Sequence, residues 1–413
     1  MAQNPDETAL AMLTTARPEA AGSSATEDRR TRPSSKGRLI GVDLARGLAV
    51  FGMYAAHVGP DPSDGGSTGF LMELAHGRSS ALFAFLAGFS IMLITGRRTP
   101  KTGREGRQAV AKVVIRSLVL LAVGTALTLT GTPVEVILAY YGLYFLLVLP
   151  LRRLSAGTLA VVAGAGAVVM PQVLYAVQHA LAAGRPGGIW TWPVHADGLV
   201  PLLVTGSYPA LAWLPFVIAG MAVARLDLAA TVVRRRLAVT GVCLTVLGYG
   251  GSWLALHLVP GAMAAIGASS GADGGPVASA WWSDAWGYPV TGTPATLLVA
   301  SPHSETTLSI LANTGVAIVV LAGCLAAVDT FPRFARLARP VLAVGSMSLT
   351  AYVLHVIGIG VLGIDDLPGS PLYVLLAFIV AMAVFATLWS RWFRRGPLEW
   401  LLGKTTQVAA FVR

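Results

Sequence analysis

Apolar residues fill long blocks of this chain, and short polar connections separate the blocks. A window of about 19 residues separates ten apolar runs, at roughly 39–58, 78–96, 110–130, 134–151, 156–177, 201–224, 236–258, 305–328, 340–362 and 371–392. With a helical rise of 1.5 Å per residue, runs of this length cross most or all of a hydrocarbon core about 30 Å thick. The pattern predicts an all-α, polytopic transmembrane helix bundle of about ten spans, because a backbone surrounded by lipid must satisfy its own hydrogen bonds.

The first two runs break the apolar rule. Read from Arg38 as RLIGVDLARGLAVFGMYAAHVGP and from His76 as HGRSSALFAFLAGFS, they carry Asp43, Arg46, His57 and His76. Turning about 100° per residue brings Arg46 and His57 to nearly one face of a helix, with Asp43 about 40° away. The rise separates Arg46 from His57 by about 16 Å, so the two serve different depths. Ionisable groups are costly in lipid, and such a stripe is expected to line a bundle interior. Asp43 and Arg46, three residues apart, are placed to pair. The pair either orients the first helix or leaves the Arg46 guanidinium at a cytoplasmic mouth suited to the phosphates of a donor. His57 and His76 flank the first outer connection. An imidazole there can act as general base toward a hydroxyl or amine, or carry an acyl group as nucleophile.

Composition narrows the class. At 413 residues, 54% hydrophobic and 12% charged, with a mean hydropathy of +0.67, the chain is too apolar for a soluble domain of its length. The formal charge of +10 does not mark a nucleic-acid binder, since no polar segment interleaves basic and aromatic residues. Cys243 and Cys324 both lie inside apolar runs, which offers neither a disulfide framework nor a metal site. Lysine and arginine collect at Arg97 to Arg107, Arg152 and Arg153, Arg225 to Arg236, Arg333 to Arg339, and Arg394, Arg395 and Lys404. The alternate connections hold almost only Arg185 and Arg78.

That asymmetry predicts a multi-pass protein of the cell membrane with both termini cytoplasmic. Residues 1–37 read as a disordered cytoplasmic tail without a signal-peptide core, 38–200 and 201–403 as two membrane halves, and 404–413 as a second cytoplasmic tail. All seven histidines, His57, His76, His179, His195, His257, His303 and His355, then fall in the outer half. The outer connections also carry Trp190, Trp192, Trp281, Trp282 and Trp286. These form either an interfacial belt or flat faces for a sugar-like acceptor.

The pattern RLIGVDLARGLAVFGMYAAH followed by HGRSSALFAFLAGFSIML resembles the start of the transmembrane acyltransferase superfamily. The resemblance is to bacterial membrane proteins akin to heparan-alpha-glucosaminide N-acetyltransferase. Arg46, ten intervening residues and His57 are also similar to the Arg-X10-His spacing of the membrane O-acyltransferases of acyltransferase family 3. In the glucosaminide enzyme the histidine at the outer entrance of the second helix is catalytic, a role that falls by position on His76; an Asn stands there in place of His57. Later runs, GSYPALAWLPFVIAGMAVAR, SPHSETTLSILANTGVAIVVLAGC, GSMSLTAYVLH and RRGPLEWLL, resemble a widespread bacterial membrane family of unknown function that often follows the acetyltransferase-like half.

Together these imply a membrane-embedded acyltransferase with acyl-CoA, most simply acetyl-CoA, as co-substrate. Its phosphates are expected near Arg46 and the loop Arg97 to Arg107, with Asp43 beside Arg46 on the donor-binding side. Its acyl group is expected to pass by way of His76 and His57 to a hydroxyl or amine of an extracytoplasmic acceptor, such as a glycan of the cell envelope. No metal is called for. Arg78, Tyr208, His303, Glu305 and His355 are expected on the acceptor side. For His303 and Glu305 a helix start capped near Ser304 is an equal reading, and for His355 a packing contact between helices. Ala81, Ala84, Gly88 and Ser90 are assigned to close helix packing. A proton-coupled transporter or flippase of an envelope precursor is the alternative, with Asp43 and the histidines as relays; the scarcity of ionisable residues in the inner half, beyond Asp43 and Arg46, speaks against it. An oligomer is as compatible with the sequence as a monomer.

Overall fold

The computed structural model describes residues 39–183, 198–269, 277–283, 293–365 and 367–413. The tail expected at 1–37 lies outside them, as do Arg185, Trp190, Trp192, His195 and Trp286. The described residues form fifteen α-helices and no strand. In order they are α1 (Ile40–Val58), α2 (Gly66–Ala75), α3 (Arg78–Thr95), α4 (Gly103–Thr128), α5 (Leu138–Val148), α6 (Ala156–Ala183), α7 (Ala210–Ala224) and α8 (Thr231–Leu258). Then come α9 (Ala262–Ser269), α10 (Thr307–Thr330), α11 (Pro332–Leu337), α12 (Arg339–Ser346), α13 (Ser348–Leu362), α14 (Leu372–Trp392) and α15 (Pro397–Thr405).

Each apolar run carries a helix, but not each helix has the length and apolar content of a span. Six stretches do: Gly66–Thr95, Gly103–Thr128, Ala156–Leu181, Thr231–Leu258, Thr307–Thr330 and Leu372–Trp392. The pair α12 and α13 adds a seventh if counted together. The chain is thus a multi-pass membrane protein. Helices α5 and α7 are short, at 11 and 15 residues, and in α1 Asp43, Arg46 and His57 dilute the apolar content.

Burial sorts the helices into a core and a ring. Of the apolar windows, 72% is buried for Gly66–Thr95 and 61% for α10, against 28%, 22%, 22% and 17% for α4, α6, α8 and α14. The outer four therefore present most of their side chains to lipid. Helix α1 belongs to the core despite its polar residues, with Asp43 itself buried. Core helices approach closely where glycine replaces a side chain. A Cβ on Gly88 would sit 1.8 Å from the Val217 carbonyl oxygen, and one on Gly220 1.8 Å from that of Phe85, so α3 and α7 meet backbone to backbone. A Cβ on Gly345 of α12 would likewise meet the Asp43 carbonyl oxygen at 1.7 Å.

The run expected at 340–362 is not one helix, since α12 and α13 are bent by 88° around Met347. The bend exposes the first amides of α13, which have no partners of their own. Glu399 supplies them: Oε1 accepts from the Leu349 and Thr350 amides at 2.8 and 3.2 Å, and Oε2 accepts from the Thr350 hydroxyl at 2.6 Å. The GPLEW motif is thus a cap for a broken helix. Sequence periodicity did not show this because the capping carboxylate lies fifty residues away.

Candidate active site

Two polar levels lie along α1. At its first turns Arg46 Nη1 pairs with Asp43 Oδ1 at 3.2 Å, and Nη2 donates to Ser90 Oγ at 2.7 Å. Ser90, assigned from sequence to packing, is therefore part of the polar column, and its hydroxyl donates to the Leu86 carbonyl at 2.7 Å. Arg46 and Ser90 line a cavity of about 330 Å³ together with Arg116, Ser346, Ser348 and Glu399. Arg116 was missed by sequence reasoning because it sits within a strongly apolar run. Among the described residues it has no hydrogen bond or ion pair, and the charges it feels are those of Arg395, Arg46 and Glu399. Two guanidiniums thus face one cavity, a setting that attracts an anion with several oxygens.

The loop after α3, expected to help hold donor phosphates, is already occupied. Arg97 donates to the Ala224 and Leu226 carbonyls at 2.8 and 2.9 Å, and Lys101 to that of Ile94 at 3.0 Å. Arg107 reaches the Arg413 carbonyl at 2.6 Å, and Arg98 pairs with Asp227 at 3.3 Å. Arg225 in turn donates to the Gly96 and Arg97 carbonyls at 3.0 and 2.9 Å. Of these, Arg97, Lys101 and Arg225 satisfy carbonyls at or just past helix C-termini, where positive charge is favoured.

Phe83, Leu138 and Tyr141 also line this cavity. Phe83 and Tyr141 stack with centroids 5.5 Å apart, and the Tyr141 hydroxyl donates to the Ser80 carbonyl at 3.3 Å. Nearby Tyr54 donates to the Ala351 carbonyl at 2.8 Å, and the Tyr352 hydroxyl accepts from the Ile137 amide at 3.1 Å. Tyr54 thus stands between Arg46 and His57 along α1, and Tyr141 and Tyr352 pack into the same core.

At the far end of α1, His57 Nδ1 lies 2.9 Å from His355 Nε2. His355 is 2% exposed, so it is a buried partner of His57 and not only a packing residue. His76 caps the C-terminus of α2 just before Gly77, a residue with φ of 61°. A Cβ there would meet Pro302 at 2.6 Å and His303 at 3.4 Å, so the His76 turn rests on the segment before α10. His76 and His303 both act electrostatically on His57. Four histidines from four parts of the sequence thus share one neighbourhood.

The segment before α10 also forms a second cavity, of about 250 Å³, lined by His303, Ser304 and Glu305 with Tyr175, Gln178 and Ser207. It shares no lining residue with the arginine cavity. His303 and Glu305 have φ of 55° and 58°. Left-handed backbone at two side-chain-bearing residues so close together is strained and concentrates at functional sites. The helix cap is Thr306, whose hydroxyl accepts from the Ser309 amide at 3.1 Å; Ser304 is left to the cavity. Glu305 Oε1 accepts from the Trp213 indole at 3.1 Å, and burial pushes its carboxyl well above the ordinary value. Tyr208 packs edge-on against His303 and Trp213 at 5.6 and 4.9 Å.

Arg78 lies apart from this cavity and is 7% exposed. It donates to Tyr249 Oη at 2.9 Å and to the Glu73 and Trp282 carbonyls at 2.6 and 2.5 Å, with the Glu73 carboxylate 3.7 Å away. That makes it a clamp tying α2 and α3 to α8 and the Trp282 turn. Glu73, not singled out from sequence, is buried with it. No group of three or more histidine, cysteine, aspartate or glutamate side chains placed to hold a metal ion is found among the described residues.

Residues 38–248 match the family model described as heparan-alpha-glucosaminide N-acetyltransferase, catalytic. The chain belongs to that family. As a member of the N-acetyltransferase family it carries α1 to α3, with Arg46, His57 and His76, inside the matched region. Residues 277–409 match a protein family of unknown function (DUF418). This second region supplies His303, Glu305, His355 and Glu399. No curated protein matches the chain.

Proposed function

We propose that this protein moves an acyl group, most simply acetyl, from cytoplasmic acyl-CoA to a hydroxyl or amine on an extracytoplasmic acceptor, a glycan or another cell-envelope molecule. In this reading the ten helical runs cross or line the membrane, both termini are cytoplasmic, and the arginine level faces the cytosol. The observation that carries it is the pairing of opposite chemistries on one buried helix: a cation-lined cavity at the start of α1 and an imidazole cluster at its end.

The donor phosphates bind between Arg46 and Arg116. Of the two, Arg46 is held in place by Asp43 and Ser90, while Arg116 is left to the ligand. A thin pantetheine arm then has to part the Phe83–Tyr141 stack to bring its thioester to the histidines. His76, helped by His57, takes a proton from the acceptor as its oxygen or nitrogen bonds to the acyl carbon, and the departing thiolate takes that proton back. Tyr208, His303 and Glu305 form the acceptor side.

Calorimetric titration of the purified protein with CoA, paired with a transfer assay on His76→Ala, tests this reading. CoA binding in both proteins and transfer only in the native one are expected. Absence of CoA binding, or full transfer by a folded His76→Ala protein, overturns it.

A further inference from the structure

His57 and His355 stand 298 positions apart in sequence, yet their ring nitrogens meet at 2.9 Å, Nδ1 of the first to Nε2 of the second. One proton serves that contact, so one ring donates and the other accepts. The other side of His355 decides which. Its Nδ1 lies 2.5 Å from the main-chain carbonyl of Tyr352. A carbonyl only accepts, so His355 Nδ1 carries a proton. In the neutral ring Nε2 is then bare and accepts from His57 Nδ1–H. By the same rule a neutral His57 has its lone pair on Nε2.

The arrangement is held from several directions. Tyr54 and Tyr352 pack on His355 with centroids 4.7 and 5.0 Å away, and the two imidazole planes differ by only 9°. The ionisable groups acting on His57 are His355, His76 and His303, with no carboxylate among them. An imidazole whose proton is fixed on one nitrogen by a hydrogen bond presents the other as base, acceptor or ligand. In serine hydrolases a carboxylate sets this tautomer; here a second imidazole, anchored to main chain, does so.

We infer that His355 is a positioning residue that holds His57 in its Nδ1–H form and so leaves Nε2 bare to assist His76. The inference rests on the acyl-transfer reading for its chemistry but not for its geometry. In the step it serves, His76, with the bare Nε2 of His57 as its assisting base, takes the acceptor's proton while the new bond to the acyl carbon forms. The carbon–sulfur bond then breaks, and the proton passes from His76 to the leaving thiolate. His355 supplies no atom to either product.

Nitrogen NMR of protein carrying isotope-labelled histidine, with His57→Gln to assign the signals, reads the tautomer without any substrate. With the rings neutral, a protonated Nδ1 and a bare Nε2 are expected for His57. In His355→Leu, which removes the acceptor, the two tautomers should mix and kcat should fall about ten- to a hundredfold with donor KM unchanged. In His355→Gln an amide oxygen can accept from Nδ1–H, and much of the lost kcat should return. A native His57 protonated on Nε2 overturns the inference, as does unchanged kcat in folded His355→Leu. If the expected tautomer is seen but the native protein transfers no acyl group, the acyltransferase reading falls and the assignment of His355 as the group that fixes His57 stands.

Discussion

Replacing Glu399 by alanine removes three hydrogen bonds at once from the start of α13, those to the Leu349 amide, the Thr350 amide and the Thr350 hydroxyl. Hydrogen bonds to a charged group contribute about 1.5–3 kcal/mol each, and loss of a whole helix cap costs about 0.5–2 kcal/mol. The three bonds share one carboxylate and Thr350 has a second contact, from the Leu398 amide at 3.1 Å, so they do not add fully. We expect a loss of about 3 kcal/mol for Glu399→Ala. Glu399→Gln keeps one carbonyl oxygen for the two amides and should lose only about 1 kcal/mol. Reversible unfolding in mixed micelles, followed by circular dichroism, measures both. A Glu399→Ala protein within about 0.5 kcal/mol of the native one would show that the bend is held by something other than its cap.

Three further expectations follow from contacts described above. Gly88→Ala drives a methyl into the Val217 carbonyl at 1.8 Å, where both neighbours are backbone; we expect a loss of about 3 kcal/mol in the same unfolding assay, and an unchanged midpoint would mean that α3 and α7 separate easily. Arg116→Gln should raise donor KM about tenfold, by analogy with the loss of a charge-assisted contact, and should leave acceptor KM alone; equal effects on both substrates would remove Arg116 from the donor cavity. For Glu305 the raised carboxyl means that the neutral form is favoured on folding. Its stabilising effect is complete below the unfolded carboxyl's pKa and is lost as pH rises through the folded one. Glu305→Gln, neutral throughout, should therefore melt higher than the native protein near neutral pH and converge with it in acid. A lower melting temperature for Glu305→Gln near neutral pH would contradict that sign.

The helices were legible because a long apolar run leaves the backbone few alternatives, and each run carries a helix. The Asp43–Arg46 pair was legible because three residues of helix bring two side chains together, as the 3.2 Å contact shows. What escaped was set by partners far away in sequence. Glu399 caps the helix after the bend at Met347 from fifty residues away, and His355 meets His57 from 298 away; neither contact leaves a local trace. Arg116 escaped for a different reason. A single cation in an apolar run reads as tolerated polarity until a second cation, Arg46, is seen across the same cavity. Ser90, expected at a helix contact, does join α3 to α1, but through the Arg46 guanidinium at 2.7 Å, a polar partner that its small size alone did not announce.

The buried tyrosines carry a consequence for the cell that holds this protein. If the arginine and histidine levels face opposite sides of an energised bilayer, as proposed, a file of water joining them would dissipate its proton gradient in every idle molecule. Tyr54, Tyr141 and Tyr352 engage main-chain groups with their hydroxyls, which leaves little for a continuous water chain to grasp. Vesicles containing the resting protein should accordingly hold a pH difference as well as vesicles without it.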